Sequence, residues 1–303
     1  MLPTTLVDMN ILPTGQQYRI ESGAYVAVVT EVGAMLRSLT RDGVEVLWTF
    51  DEDEAPRVSM ARQLVPWPNR IRDGRYTFDG VEYQLPISEP GRNTALHGLG
   101  EGVAWRLVSH TADEVVLATT IYPQTGWNAV LEVEIGHAID DGGVTVTATA
   151  RNVGTTRAPY GYGVHPYLAA DLSTAELTLP FAQELQVDAV RLLPIALTGI
   201  TAEHDFRGGR VVGDTEFDTA LTGADGAWEI QLTTDGRTVA VWADETLPWF
   251  QIFTPPTRDA LAVEPMTCGP DAFNEGPTHD GLMVLEPGDE TTSRWGIRVE
   301  PSA

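Results

Sequence analysis

The chain has 303 residues with 43 acidic against 19 basic side chains, a net charge of -24. Such a surface repels nucleic acid and anionic membranes, both of which need basic patches. Every basic residue is arginine and no lysine occurs. This excludes a Schiff-base lysine, a pyridoxal phosphate anchor and a P-loop lysine together.

At this length a large all-β chain can form one unit and bury about 75% of its unfolded surface. A single cysteine, Cys268, rules out an intrachain disulfide and suits a reducing compartment. Met1 to Gln17 has no basic segment followed by an apolar one, so no signal peptide is expected. No apolar run reaches the roughly 20 residues that span a bilayer. The expectation is a soluble cytoplasmic protein.

In chain order, strand signals dominate. Val26–Val32, Val44–Phe50, Val115–Tyr122, Val144–Ala150 and Thr238–Trp242 are β-branched or aromatic runs bounded by Gly, Asp and Pro. Asp42-Gly43, Asp79-Gly80 and Asp235-Gly236 separate such runs, and Asp-Gly favours the positive φ angles of tight hairpins. Val130–Ile139 and Val144–Arg151 form a further antiparallel pair around Asp140-Asp141-Gly142-Gly143. Two short segments, Ser59–Leu64 and Phe181–Leu185, are the best helix candidates. Closely spaced turn signals without strand–helix alternation predict one large antiparallel β-sandwich domain over residues 1–303 with few short helices.

Several stretches break the strand pattern with polar groups. Pro66-Trp67-Pro68-Asn69-Arg70-Ile71 carries an arginine whose fixed donors suit sugar hydroxyls, a carboxylate or a plain surface salt bridge. In Ala95-Leu96-His97-Gly98 the histidine caps a strand or serves a site. Tyr160-Gly161-Tyr162-Gly163-Val164-His165-Pro166-Tyr167 holds an imidazole on stiff backbone among aromatic rings. Gly213-Asp214-Thr215-Glu216-Phe217-Asp218 reads as a solvated acidic turn. In Leu261-Ala262-Val263-Glu264-Pro265-Met266 a carboxylate ends an apolar strand, where burial raises its pKa toward the range of a general base.

These groups suit three chemistries. Two histidines and a carboxylate make a metal set, but His97 and His165 lie on distant segments without the usual spacing. A glycosidase uses two carboxylates, Asp218 and Glu264, and leaves both histidines idle. Proton shuttling between a carboxylate and an imidazole across a sugar hemiacetal uses every group and needs no cofactor or metal.

The chain resembles the aldose 1-epimerases of the galactose mutarotase type. The resemblance runs through Asn69-Arg70-Ile71 with Gly74-Arg75-Tyr76, Leu96-His97-Gly98 with Trp105, and Gly163-Val164-His165-Pro166-Tyr167. It continues through Phe217-Asp218 and Val263-Glu264-Pro265 with Pro270-Asp271-Ala272 and Asn274. It implies a galactose mutarotase-like sandwich with an open cleft for a free aldose. Glu264 then stands as general base, His165 as general acid and His97 as a second imidazole near the ring oxygen. Arg70 and Asp218, with Asn69, bind hydroxyls, and Asp218 fits better than Asp214. Trp67 stands where relatives vary and is a candidate for selecting the sugar. Gly126-Trp127-Asn128 departs from the commoner glycine-aromatic-proline pattern, so substrate choice stays open. Relatives include enzymes for phosphorylated or sulfonated sugars, for which Arg62 or Arg72 is the candidate anchor. A sugar-binding or regulatory module without catalysis is the competing reading. The expected partner is a small-molecule aldose, with no nucleic acid or membrane, on a monomer or homodimer.

Overall fold

Two large sheets, of nine and eight strands, face each other in a computed structural model that describes residues 11–57 and 59–300. Residues 1–10 of the N-terminal stretch read above, and the two ends of the expected domain, lie outside the described residues. No helix among the described residues is long and apolar enough to cross a membrane.

The nine-stranded sheet is built on long hairpins. Glu114–Ile121 pairs with Leu131–Asp140, which pairs with Gly143–Asn152, and Trp228–Thr234 pairs with Arg237–Ala243. Along Leu131–Asp140 burial alternates, with Leu131, Val133, Ile135, His137 and Ile139 inward. That is the period of a pleated strand with one face on the core. The predicted hairpin turns form. Asp42, Asp79 and Asp235 have φ of 53°, 50° and 50°, each followed by a glycine at 74° to 76°. Two successive left-handed residues give the backbone twist that a two-residue hairpin requires.

The eight-stranded sheet carries the order Pro194–Gly199, Gln183–Val187, Asp218–Thr222, Trp249–Phe253, Ala260–Met266, Gly163–Val164, Gln63–Leu64, with Tyr167–Ala169 also on Ala260–Met266. One hydrophobic cluster spans both sheets. Phe250 of the eight-stranded sheet meets Trp228 of the nine-stranded sheet with ring centroids 5.3 Å apart. Trp295 Nε1 donates to the Tyr162 hydroxyl at 3.1 Å, and that hydroxyl donates to Gln63 Oε1 at 2.8 Å, so a buried polar chain also ties the sheets. A smaller sheet of four strands begins the described chain, from Gln17–Ser22 to Val44–Glu45.

Three local expectations are corrected. Phe181–Leu185 is not helical: Gln183 and Glu184 pair with Thr222 and Leu221, and the Phe181 ring stacks on Phe250 at 5.0 Å. Ser59–Leu64 is a turn followed by the strand Gln63–Leu64, and Ala61 has a φ of 55°, which a right-handed helix cannot contain. Only Val44–Glu45 of the run Val44–Phe50 extends the small sheet. Beyond it Leu47 bridges to Leu168 and Trp48 N–H donates to the Tyr167 carbonyl at 2.8 Å, so the chain crosses to the large sheet. The one helical turn among the described residues is the 3-10 turn His279–Gly281.

Candidate active site

Ala260–Met266 is buried on both faces, and its alternation divides the faces by chemistry. Leu261 and Val263 join the main core. Ala260 and Ala262 turn to the other side, the face that also carries Glu264, and pack in a second apolar cluster with Met60 and Tyr167. The adjacent strand repeats the division: Phe250 and Ile252 enter the core, and Gln251 stands opposite Glu264 in the register. Gln251 Nε2 donates to Asp218 Oδ1 at 2.8 Å, from a strand one step further out. Strands lie about 4.8 Å apart and residues rise about 3.3 Å along a strand, and the register sets Asp218 two strands across and two residues along from Glu264, so their backbones are separated by about 12 Å. The two carboxylates line one cleft from strands two steps apart.

The loop bearing Asn69 and Arg70 is fixed against His97. Both Asn69 and His97 are left-handed, with φ of 55° and 62°. Asparagine and histidine tolerate that region better than most residues, but it is strained and must be held. Here the two hold each other: His97 N–H donates to the Asn69 carbonyl at 2.9 Å, and Asn69 N–H donates to His97 Nδ1 at 3.2 Å. Because Nδ1 accepts, the ring proton resides on Nε2. Arg70 then binds Glu89 in a bidentate pair, Nε to Oε2 at 2.8 Å and Nη2 to Oε1 at 3.1 Å. Arg92 Nη1 and Thr94 Oγ1 donate to the same carboxylate at 2.8 and 2.7 Å.

His165 is brought in by the short strand before Pro166. A Cβ on Gly163 would lie 2.7 Å from Pro68 Cβ, so only glycine lets the Pro68–Arg70 loop close over this strand. The His165 backbone is held by Ala61 N–H on its carbonyl at 2.8 Å, and its ring stacks on Tyr167 at 5.0 Å and 16°. The His97 ring meets it edge-on at 5.5 Å. His165 Nε2 lies 3.2 Å from Glu264 Oε1. His165 Nδ1 and Glu264 Oε2 are buried without a partner among the described residues. Buried polar atoms are rarely left unpaired, so these two point to a ligand.

Burial dominates the electrostatics. It pushes His165 down to about 3, with the Arg62 guanidinium working in the same direction. It holds His97 well below the usual imidazole value, helped by His165, Arg70 and Arg62. It raises Glu264 well above the usual carboxylate range, and Asp218 adds to this against Arg70. Asp218 is raised by burial against Arg70, Arg92 and the Gln251 hydrogen bond. Burial also raises Glu89, but hydrogen bonds from Arg70, Thr94 and Arg92 outweigh it and bring it below its ordinary value. The opposed shifts act on a touching acid and imidazole, and each favours the uncharged form of its own group. The sequence left open whether a carboxylate would raise His165 or burial would lower it; burial prevails.

These groups line one cleft of about 380 Å³. Asn69, Arg70, His97, His165, Asp218 and Glu264 all line it, as the sequence led us to expect. Trp67 does not. It is 2% exposed, and its indole packs in the core against Phe273 at 5.9 Å. Trp127 is likewise buried away from the cleft. Asp214 is exposed and does not line it, whereas Asp218 does. Arg62 and Arg72 are not in the lining; they pair with Glu101 at 2.8 Å and Asp271 at 3.0 Å. Sequence reasoning missed Glu89, Arg92, Gln251, Ser59 and Phe253, which complete the walls. A lone glutamine in the apolar run Trp249–Phe253 was the available signal for Gln251. Among the described residues no three His, Cys, Asp or Glu side chains are grouped to hold a metal ion.

The arrangement brings carboxyl groups, two imidazoles and guanidinium groups to the wall of one cleft. Residues 16–298 match the family model described as aldose 1-epimerase. The chain is 32% identical over 286 residues to the uncharacterized protein YihR of Escherichia coli (strain K12), covering 92% of each. It is 25% identical over 296 residues to the uncharacterized protein YphB of the same organism, covering 93% of this chain and 98% of that one. In fold it resembles a galactose mutarotase-like protein from Clostridium acetobutylicum, with a TM-score of 0.84 at 17% identity over 93% of this chain and 94% of the other. A GalM/aldose epimerase homologue from C. elegans gives 0.83 at 18% identity over 95% and 99%. With its match to the family model running almost from end to end, the chain belongs to the aldose 1-epimerase family.

Proposed function

We propose that the protein interconverts the α and β anomers of a free, uncharged aldose by opening and reclosing its ring. The observation that carries this reading is the contact of Glu264 Oε1 with His165 Nε2 at 3.2 Å, with an unpartnered buried atom on each residue at the cleft wall. Ring opening removes a proton from the anomeric hydroxyl and adds one to the ring oxygen. The pair holds one proton and has two arrangements of it, a neutral acid beside a neutral imidazole or a carboxylate beside an imidazolium. The charged arrangement meets the cyclic sugar. Glu264 takes the hydroxyl proton, His165 gives one to the ring oxygen, and the pair returns to the neutral arrangement with the open aldehyde bound. Rotation about the bond between the first two carbons and closure with roles reversed gives the other anomer. Burial opposes the charged arrangement, so ring opening relieves that opposition. Each proton transfer contributes on the order of 10²–10⁴ in rate. Neutral His97, with its proton on Nε2, serves as a hydrogen-bond donor, and Arg70 and Asp218 hold hydroxyls at the far end.

Charge supports an uncharged sugar. Arg70 and Arg92 balance Glu89 and Asp218 when Glu264 keeps its proton, and Arg62 and Arg72 are already paired within the chain. The test is polarimetry on freshly dissolved α-glucose and α-galactose, with NMR anomer exchange on neutral and anionic aldoses side by side. Faster exchange with the neutral sugars is expected. Calorimetric binding without acceleration would favour a binding module, and acceleration confined to anionic sugars would transfer the substrate class.

A further inference from the structure

Arg191 does not line the cleft, yet its guanidinium grips the backbone of a loop that does. Its Nε donates to the Arg92 carbonyl at 2.9 Å, and its Nη2 donates to the Asn93 carbonyl at 3.1 Å and to Asp73 Oδ1 at 2.7 Å. We propose that Arg191 is a positioning residue for sugar binding, a latch that keeps the Arg92 guanidinium at the cleft wall as a donor to hydroxyls. The inference rests on the reading of the cleft as an aldose site.

The latch is built on a rigid mount. Arg191 stands in the turn between Gln183–Val187 and Pro194–Gly199, the hairpin at one edge of the sheet that also carries Asp218 and Glu264. Asp188 gathers that turn: its Oδ1 accepts from the Val190 and Arg191 N–H groups at 3.1 and 2.7 Å, and its Oδ2 from the Leu193 N–H at 3.0 Å. Leu192 is left-handed at a φ of 56°, a conformation that a leucine keeps only when its surroundings hold it. The same Leu192 backs onto the site, lining a gap of about 10 Å³ with Asn69, Arg70, Asp218 and Gln251. The turn therefore abuts the hydroxyl-binding residues on one side and reaches over to the Arg92 loop on the other.

What the latch holds is a strained loop with a charged end. Asn93 is left-handed at 54°, and its side chain donates to the same Asp73 Oδ1 at 2.8 Å. Arg92 is in the cleft lining, and its Nη1 donates to Glu89 Oε1 at 2.8 Å beside the Arg70 pair. Its charge draws the Asp218 pKa down against burial, so it is felt across the cleft. An ion pair such as Arg191 with Asp73, part exposed to water, contributes little alone. The two carbonyl bonds give it a different task, because the fixed fork of a guanidinium sets the path of the backbone it grips.

The experiment measures binding of glucose and galactose by calorimetry on the whole chain, for the wild type, Arg191→Met, Arg92→Met and the double variant. Arg191→Met is expected to weaken binding about tenfold, the effect of a misplaced donor, with KM rising more than kcat falls. The double variant should bind no more weakly than Arg92→Met, because the latch acts through a side chain already removed. Asp73→Ala tests the same latch from a half-exposed position and should weaken binding without adding to Arg191→Met. Unfolding in denaturant is followed in parallel. Lower stability with wild-type affinity in Arg191→Met, or losses that add in full in the double variant, would overturn the latch. Anomer exchange is read in the same samples. Aldose binding without exchange removes the mutarotase reading while the variant affinities still decide the latch, and exchange with wild-type affinity in Arg191→Met removes the latch alone.

Discussion

His165 and Glu264 meet at 3.2 Å, each drawn in by a different strand of the same sheet. In the proposed mechanism that contact joins the acid and the base in one unit. Glu264→Gln keeps the shape and removes the base. Anomer exchange should fall about a hundredfold or more, the usual contribution of a general base. Polarimetry checks this, and a rate near that of the wild type would remove Glu264 from the chemistry. His165→Asn should lose a similar factor.

The same pair sets the pH profile. In the proposed mechanism the active pair carries one proton. It gains a second only as pH falls toward the depressed His165 value of about 3, and it loses its only proton above the raised Glu264 value. Exchange per unit of free enzyme should therefore hold a broad plateau whose acidic limb lies well below the ordinary imidazole pKa of about 6.5. A limb centred near 6.5 would show that His165 titrates as an exposed histidine.

Glu89 gathers Arg70, Arg92 and Thr94 on one carboxylate. Glu89→Ala leaves Arg70 nearly buried without its counterion. Breaking such a pair costs about 3 kcal/mol when some solvent remains. Denaturant unfolding should register that loss, and the KM for aldose should rise at least tenfold as the guanidinium leaves its place. An unchanged KM would make Glu89 a purely structural anchor.

His137 lies in the core between Val115 and Val146, with neither ring nitrogen partnered among the described residues. Burial brings its pKa down to about 3. Below about 6.5 the unfolded chain takes up a proton that the folded chain refuses, so stability falls as pH drops from 6.5 toward 3. His137→Leu should remove about 1.4 kcal/mol of that loss per pH unit and stabilise the protein at pH 5. Parallel slopes for variant and wild type would contradict the assignment.

Much of this was legible in the chain. Asp-Gly pairs located the hairpins because two left-handed residues are a local demand. Glu264 stood out because a carboxylate in an apolar run has few harmless explanations. His97, His165, Asn69 and Arg70 stood on short polar segments that read as well or better as structural, and the family resemblance is what assigned them to the site. What the text hid depends on pairing between distant strands. Gln251 matters because it stands opposite Glu264, and Glu89 because Arg70 reaches it across a loop. In isolation Glu89-Pro90-Gly91-Arg92 is an ordinary turn. Trp67 misled because it stands where relatives vary, which suggested sugar selection, whereas tertiary packing turned it inward. Phe181–Leu185 was a weak helix candidate that sheet pairing overrode.

The sheet beneath the cleft joins Gln63–Leu64 to Ala260–Met266 through Gly163–Val164. During synthesis the floor of the site cannot close until the strand holding Glu264 has left the ribosome. Early segments must wait with open edges, which exposes them to misassociation. Truncated translation products ending before that strand should therefore be inert and prone to aggregate, and the nascent chain has good reason to engage a chaperone until its last quarter arrives.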